Sequence, residues 1–417
     1  MPRKEIYLDY AAATPVDRRV KRAMEPYWAR EYGNPSSIHT SGTKARAAIA
    51  EARRSIAKIL GCTSDEIIFT SGATEADNLA VRGICGALFE SKLRTKGHVV
   101  VSKIEHEAIL RAAEAVEKEG HAVTYLDVNE YGLVLPDTVK RILRADTVLV
   151  SIGYANNEIG TIQPIAEIGK VVRAHRKGKH HPYFHTDASQ AAGFLKLDVQ
   201  KLGVDLMTLN SGKIYGPKGI GCLFVRRGTP FVPFIYGGGQ ERGLRSGTEN
   251  VPGIVGFAKA LEIAEGERAA ESDRLTKLRD YFIRRLQEAI PDLGIVLNGH
   301  QSMRLPNNVH ISIPGVEGEA AVLYLDVKGI RSATGAACTA LASKPSHVIL
   351  ALGRAPEYAM GSLRFTLGRG TTKRDLDYAA GALRKTLDVM RRSKDKKIPQ
   401  QIVRESRSYR SSAEVFL

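Results

Sequence analysis

The stretch VDLMTLNSGKIYGPKGIGCLFV, residues 204–225, places two apolar runs on either side of a turn that carries two lysines. The runs at residues 204–210 and 219–225 have the length and apolar content of buried strands. Glycine and proline fill the connection between them, which predicts a turn. The sequence therefore predicts strand, turn, strand, and it leaves open which of Lys213 and Lys218 is chemically special.

Similar apolar runs occur upstream of this stretch, and segments with helical periodicity separate them. Strands are predicted at residues 65–70, 98–102, 122–128, 147–155 and 183–188. One of the helices, predicted from about residue 43, is expected to end at Gly61. The alternation predicts an α/β domain with a mainly parallel or mixed sheet, in which ligand sites form at the carboxyl ends of the strands.

Two of the predicted strands are followed by groups that suit a phosphate and a flat ring. Ala73 and Thr74 open a helix after residues 65–70, and the free N–H groups of a helix start can bind phosphate. His106 follows the strand at 98–102 and can stack on a ring or exchange a proton. Each signal has an ordinary alternative, since Ser and Thr cap helices and a lone histidine is often structural.

Polar residues also follow the later strands. Asn157 comes after residues 147–155, and Lys213 follows the strand at 204–210. Asp187 lies at the end of the strand at 183–188, and Gln190 follows that strand. A carboxylate at a buried strand end requires a positive partner, either an arginine or a protonated ring nitrogen. A phosphate turn, a ring-stacking histidine, a buried acid and a lysine together are the set that pyridoxal 5'-phosphate requires.

The regular alternation of predicted strands and helices ends at about residue 262. We predict a large domain over residues 15–262 and a smaller α+β domain made of residues 1–14 and 263–393. Residues 394–417 are predicted to form a flexible basic and polar tail.

Composition limits the function classes. The chain has 417 residues, a net charge of +16 and four widely spaced cysteines, so neither a disulfide framework nor a metal site is expected. No apolar stretch is long enough to span a membrane and no signal peptide is evident, so a cytoplasmic location is expected. The basic residues are scattered, which argues against nucleic acid as a partner.

Many long motifs, in order, cover about residues 5–390. They include YLDYAAATPVD (7–17), YGNPSSIH (32–39), FTSGATEADNLA (69–80), NNEIGTIQPI (156–165), HTDASQAAG (185–193), KIYGPKGIG (213–221), GGGQERGLRSGTENV (237–251), ATGAACT (333–339) and SLRFTLGRGTT (362–372). With these motifs the chain resembles the class V aminotransferases of fold type I, and within them the cysteine desulfurases of the NifS/IscS type. The resemblance implies a large domain with a mainly parallel seven-stranded sheet and bound pyridoxal phosphate.

The resemblance also assigns roles to the residues that would hold the cofactor. Lys213 matches the Schiff-base lysine, so Lys218 is left as a structural or surface residue of the turn. Asp187 matches the acid on the ring nitrogen, Gln190 the residue near the phenolic oxygen, and His106 the stacking histidine.

Further positions follow from the same resemblance. Ala73 and Thr74 match the phosphate turn, and Asn157 matches an amide beside the ring. Thr248 matches a residue that reaches the phosphate of a partner subunit, which implies a homodimer. Asn34 and Arg364 match positions that bind the substrate carboxylate, and a guanidinium suits that role because it can form two parallel hydrogen bonds. The alternative for Arg364 is a strand residue paired with a nearby acid.

Cys338 decides the reaction that the resemblance implies. It lies in a stretch of small residues, and its thiolate would attack the sulfur of cofactor-bound L-cysteine, take it up as a persulfide and release L-alanine. The persulfide would pass to an acceptor protein of the scaffold or tRNA-thiolation type. Cys62, Cys85 and Cys222 are interpreted as inert thiols. The alternatives are a selenocysteine lyase or cysteine sulfinate desulfinase, or a catalytically weak sulfur-relay partner.

One segment departs from the family pattern. The family usually has Ser-x-His before the lysine, whereas this chain has Asn210, Ser211 and Gly212. The missing side chains would contact the cofactor phosphate, so Asn210, Ser211 or a backbone N–H is expected to replace them.

Overall fold

The computed structural model describes residues 5–90, 96–178, 181–335 and 345–394 of the chain. Within these ranges the strands are β1 (Ile6–Tyr7), β2 (Ile67–Thr70), β3 (His98–Ser102), β4 (Ala122–Leu126), β5 (Thr147–Ser151), β6 (Tyr183–Asp187), β7 (Leu206–Asn210), β8 (Gly221–Val225), β9 (Val296–Leu297), β10 (Asn308–Ser312), β11 (Ile330–Arg331) and β12 (Ser362–Thr366).

The helices of the same ranges are α1 (Arg18–Met24), α2 (Pro26–Ala29), α3 (Thr40–Leu60), α4 (Ala73–Glu90), α5 (Glu107–Lys118), α6 (Pro136–Ile142), α7 (Ile165–Arg176), α8 (Val199–Leu202), α9 (Val251–Ala289), α10 (Gly318–Val327), α11 (His347–Ala351), α12 (Pro356–Met360) and α13 (Lys373–Lys394). Short 3₁₀ turns lie at Ser64–Glu66, Ser211–Lys213 and Gln240–Gly243.

Seven of the described strands form one sheet in the order β2-β8-β7-β6-β5-β3-β4. β8 runs antiparallel to both of its neighbours, β2 and β7, and the other neighbouring pairs are parallel. Two smaller groups, β12-β10-β9 and β1-β11, complete the described strands. The expected α/β class, with a mainly parallel seven-stranded sheet and a smaller α+β part, is confirmed.

The large sheet is buried on both faces, which explains its apolar strands. In β3, Val100 packs into the cluster that contains α3, α7 and the first half of α9. Val99 and Val101 point the opposite way, into the cluster that contains α4 and α5. Successive side chains of a strand alternate between faces, so an apolar run without polar interruptions needs helices on both sides.

α3 shows how the sequence sets a helix and its end. Its buried residues recur every three or four positions, so they form one stripe against the sheet: Ala45, Ile49, Ala52, Ile56 and Leu60. Gly61 follows in a left-handed conformation, with φ of 69°, and its N–H bonds to Ala57 and Lys58 carbonyls. The helix end predicted at Gly61 is confirmed.

A separate apolar core surrounds β10 and β12. This core also contains side chains of α10, α13 and the second half of α9, and in α9 Phe282 and Leu286 are buried. The first half of α9 instead contributes Val251 and Leu261 to the core of the large sheet. The domain boundaries predicted near residues 14 and 262 stay a prediction. The predicted tail, apart from its first residue, and Cys338 lie outside the described residues.

No helix in the described ranges combines the length and the apolar content that crossing a membrane requires.

Candidate active site

The carboxyl ends of β3, β5, β6 and β7 surround a cavity of about 230 Å³. The cavity brings together most of the site residues that the sequence predicts: Ala73, Thr74, His106, Asn157, Asp187, Gln190, Asn210, Lys213 and Arg364. Eight of these nine residues lie at or just after the carboxyl ends of β2, β3, β5, β6 and β7, and Arg364 lies on β12. The prediction that polar residues after the strands share one site agrees with this arrangement.

Lys213 lies on the 3₁₀ turn that directly follows β7. Its Nζ donates hydrogen bonds to the carbonyls of Ala11 and Ala12, at 2.8 and 2.7 Å. Gln190 also donates to the Ala11 carbonyl, at 3.0 Å. Lys218, by contrast, is exposed, and its Nζ donates to the carbonyl of Thr14 at 2.6 Å. Of the two lysines in the turn, Lys213 is the one that lines the cavity.

Asp187 is the last residue of β6, and its side chain stays half-buried at the cavity wall. Its Oδ1 accepts a hydrogen bond from the N–H of Ser189 at 2.8 Å, which fixes the carboxyl group at the strand end. Its carbonyl accepts from the N–H of Tyr154 at 2.8 Å and joins it to the segment after β5. A carboxylate held in this way can pair with a cationic ring nitrogen.

His106 caps the N-terminus of α5. Its Nδ1 accepts a hydrogen bond from the N–H of Ala108 at 3.1 Å, so the proton of the neutral ring lies on Nε2. Burial lowers the pKa of His106, the Asp187 carboxylate opposes that shift, and the Lys213 ammonium adds to it. A ring that is neutral near pH 7 can both stack on a flat ligand and take up a proton.

The start of α4 offers backbone N–H groups to an anion. Ala73 and Thr74 are its first residues and line the cavity. The N–H groups of a first helical turn have no partner within the helix, and the helix dipole favours negative charge there. Glu75 accepts from the N–H of Ser71 at 2.8 Å and pairs with Arg245 at 2.8 Å, which braces the turn from the side.

Arg364 is 1% exposed, and it lies on β12 with its guanidinium at the cavity. One Nη donates to the carbonyl of Asn157 at 3.0 Å, and the other pairs with Asp9 at 2.8 Å. The pairing with an acid, which was the alternative interpretation of Arg364, is therefore present. The residue lines the cavity as well, so pairing with Asp9 orients the guanidinium at the site.

Three of the predicted site residues do not line the cavity. Ser211 is fully buried and its hydroxyl has no hydrogen-bond partner among the described residues. Asn34 is exposed and its side chain accepts from the N–H of Ser36 at 2.9 Å. Thr248 is exposed on the loop that precedes α9. Cys338 lies outside the described residues. The roles predicted for these four residues stay predictions.

Several residues that line the cavity were not predicted. Glu105 is 5% exposed, and burial raises the pKa of its carboxyl to about 7, with Asp187 adding to the rise and bonds from Ser102 and Gly153 opposing it. Gly153 and Ser189 also line the cavity, as do Ala11 and Ala12. Glu105 lies beside His106 in the segment after β3, and Ser189 lies beside Gln190 in the segment after β6. These positions beside recognised residues were the signal that could have indicated them.

The described cysteines fit the inert role that was predicted for them. Burial raises the pKa of Cys62 and of Cys85 to about 12, and it raises that of Cys222 further. A thiol must ionise to act as a nucleophile, so none of the three is activated near pH 7.

Comparison with known proteins shows the family of the chain. The aminotransferase class-V family model matches residues 6–379. The chain belongs to the class-V aminotransferase family. The resemblance that the motifs predict is thereby confirmed.

Relatives in this family are similar over nearly the whole chain. A protein of Dictyoglomus turgidum named cysteine desulfurase IscS is 49% identical over 390 residues, which cover 93% of this chain and 96% of the relative. The solved structure of a NifS-like protein aligns with a TM-score of 0.85 at 35% identity, over 93% of this chain and all of that one. The solved structure of SspA in complex with cysteine aligns with a TM-score of 0.75 at 35% identity, over 87% of this chain and 99% of that one.

Proposed function

We propose that this protein is a pyridoxal-phosphate-dependent cysteine desulfurase that converts L-cysteine to L-alanine. The observation that carries the proposal is that Lys213, Asp187 and His106 line one cavity at the carboxyl ends of the sheet. The names of the class-V relatives support it, and so does the cysteine complex of the structural neighbour SspA. The desulfurase activity and the substrate L-cysteine are both proposed.

The residues of the cavity fit pyridoxal phosphate. The start of α4, with Ala73 and Thr74, would hold the phosphate, Asp187 the ring nitrogen, and Gln190 the phenolic oxygen, while Lys213 would bond to the aldehyde carbon. When bound, the cofactor withdraws electrons from an amino acid attached to it. The cavity supplies one carboxylate for the ring nitrogen, one lysine for the aldehyde and free helical N–H groups for the phosphate.

Other residues would hold and orient the substrate. Arg364 offers a buried guanidinium at the cavity and donates to the carbonyl of Asn157. The Asn157 side chain would lie beside the cofactor ring and help to orient it. A carboxylate that enters would meet an arginine already fixed by Asp9, so little side-chain entropy is lost on binding. His106, with its proton on Nε2, is proposed to move protons during the reaction.

Cys338 is the proposed nucleophile for sulfur transfer. Its thiolate attacks the sulfur of L-cysteine, an S–S bond forms, and the C–S bond of the substrate breaks. The electron pair of that bond stays on the substrate carbon, which takes up a proton and becomes the methyl group of L-alanine. The sulfur then passes to a protein acceptor, which we propose to be of the scaffold or tRNA-thiolation type.

We also propose that the protein is a homodimer. Four large apolar side chains are exposed in two segments: Trp28 at 63%, Tyr32 at 78%, Ile38 at 96% and Tyr236 at 75%. Exposed apolar side chains of this size are typical of a surface that another subunit covers. Thr248, to which the resemblance assigns the partner-subunit role, is exposed and follows Tyr236 closely in the sequence. A cytoplasmic location is part of the same proposal.

The test compares matched variants of the purified holoenzyme. Lys213→Ala is expected to abolish the visible absorbance of the bound cofactor and the release of alanine, whereas Lys218→Ala keeps both. Cys338→Ser is expected to stop persulfide formation, whereas Cys62→Ser does not. L-selenocysteine and cysteine sulfinate are assayed beside L-cysteine. A Lys213→Ala variant with normal alanine release, or a Cys338→Ser variant with normal persulfide formation, would contradict the proposal.

A further inference from the structure

Glu105 is a buried carboxyl in the wall of the cavity, next to His106 in the chain and outside the set of residues that the reaction uses. We propose that Glu105 is a positioning residue whose carboxyl holds the segment 153–157 against the cavity and couples the geometry of that segment to pH. The inference rests on the proposed function only for its effect on catalysis, because the contacts themselves belong to the protein alone.

The carboxyl group of Glu105 bridges the ends of β3 and β5. Its Oε1 accepts a hydrogen bond from the hydroxyl of Ser102 at 2.5 Å. The N–H of Gly153 points between the two carboxyl oxygens, each at 3.0 Å. A Cβ atom at Gly153 would lie 3.0 Å from Oε2, tighter than an ordinary contact. The carboxyl therefore occupies the space that a side chain at residue 153 would need.

The backbone beside Glu105 holds the same segment at a second point. The carbonyl of Ile104 accepts from the Nδ2 of Asn156 at 2.8 Å. Residues 104 and 105 thus hold both ends of the four-residue segment 153–156, and Asn157 follows directly. The Asn157 carbonyl in turn accepts the bond from Arg364. A shift at Gly153 would therefore move two groups that line the cavity.

The charge on Glu105 is poised to change near neutrality. Burial raises its pKa to about 7, and the facing Asp187 of β6 adds to that rise. The Glu105 carboxylate also raises the pKa of Asp77, which is fully buried on α4. The Nε2 of His347 on α11 donates a hydrogen bond to the backbone carbonyl of Glu105 at 3.1 Å. The anionic carboxylate accepts the N–H of Gly153 with both oxygens, whereas the neutral acid turns one oxygen into a donor. Protonation of Glu105 therefore loosens the hold on Gly153.

The direct test follows the Gly153 amide by NMR in the full chain with labelled glycine. Its chemical shift is expected to titrate with a midpoint near pH 7 in the wild type and to lose that titration in Glu105→Gln. Glutamine can keep an acceptor toward Gly153 and donate to Ser102, so this variant deletes the charge and little else. Glu114→Gln, which removes a half-exposed carboxylate of α5 paired with Arg111, is the matched control and keeps the titration.

The catalytic test uses the holoenzyme at several pH values. In the wild type, kcat/KM for L-cysteine is expected to have a limb near pH 7, which Glu105→Gln removes while Glu114→Gln retains it. Glu105→Ala, which also loses the contact, is expected to lower kcat by about tenfold or more. A Gly153 amide that titrates alike in wild type and Glu105→Gln would overturn the inference. The amide readout needs no turnover, so it separates this failure from a failure of the proposed activity.

Discussion

His185 gives a prediction about acid stability whose size follows from its surroundings. The ring is fully buried on β6, with Nδ1 2.9 Å from the Ser151 hydroxyl and Nε2 3.1 Å from the Thr208 hydroxyl. Asp77, also fully buried, lies 3.8 Å from Nε2. Burial lowers the pKa of His185 to about 3 and raises that of Asp77 well above its usual range. Each pKa shift favours the neutral form of its group, so His185 and Asp77 form a pair of uncharged side chains in the fold.

The neutral ring makes stability depend on pH. Because the pKa of His185 is about 3 in the fold and 6.5 in the unfolded chain, the unfolded chain takes up the proton first as pH falls. The contribution of His185 to stability is therefore fully present above about pH 6.5 and is lost as pH falls toward about 3. At about 1.36 kcal/mol for each pKa unit, His185 costs roughly 2 kcal/mol between about pH 7 and pH 5, and roughly 3 kcal/mol between about pH 7 and pH 4.

The assay is reversible urea unfolding of wild type and His185→Gln across this pH range. At about pH 7 the variant is expected to be less stable by about 1–2 kcal/mol, since one buried hydrogen bond is lost. As pH falls to about 4 the difference is expected to shift by roughly 3 kcal/mol in favour of the variant. The control is Phe282→Ala, which leaves a cavity in the core around β10 and β12. Its free energy of unfolding is expected to fall by about 3–5 kcal/mol at every pH. A difference between wild type and His185→Gln that stays constant with pH would refute the neutral pair.

Further predictions concern the cavity and the turn that carries the lysine. Arg364→Lys is expected to raise KM for L-cysteine about tenfold or more, because an ammonium carries all its donors on one atom and lacks the planar fork that binds a carboxylate through two parallel hydrogen bonds. Steady-state kinetics measures KM, and an unchanged KM would contradict the role of Arg364. Gly216→Ala is expected to lower the free energy of unfolding by about 1–3 kcal/mol, since its Cβ would lie 2.1 Å from the Ser211 hydroxyl oxygen. Gly212→Ala, whose Cβ would meet nothing closer than 3.6 Å, is the matched comparison and should cost clearly less in the same urea titration.

The sequence could predict the sheet and the position of the site because both depend on local patterns. Strands buried on both faces appear as short apolar runs, such as residues 98–102, and the polar residue that follows each run lies at the same edge of the sheet. Asp187 and Lys213 were found in this way, each from its own strand. The antiparallel direction of β8 was not predicted, since a strand's apolar run carries no information about its direction.

Contacts between distant parts of the chain could not be predicted. The Nζ of Lys213 bonds to Ala11, 202 residues earlier, and Arg364 pairs with Asp9 across 355 residues. Glu105 acquires its raised pKa from burial and from Asp187. The residue itself has no unusual neighbours in the sequence other than His106. Its environment exists only after β3, β5 and β6 have assembled, so no local pattern records it.

The three residues of the segment Asn210–Ser211–Gly212, where the chain departs from its family, lie in different surroundings. Asn210 lines the cavity, and its Oδ1 accepts from the N–H of Gly212 at 3.2 Å, which caps the turn that carries Lys213. Ser211 turns into the core, and the Gly212 carbonyl accepts from the N–H and the hydroxyl of Thr14 at 3.1 and 3.0 Å. Of the two side chains in this segment, Asn210 alone is therefore in position to contact a ligand among the described residues. The histidine that the family usually has at residue 212 has no counterpart here, and Thr14 instead holds the backbone at that position, so the lysine turn is fixed from the N-terminal segment.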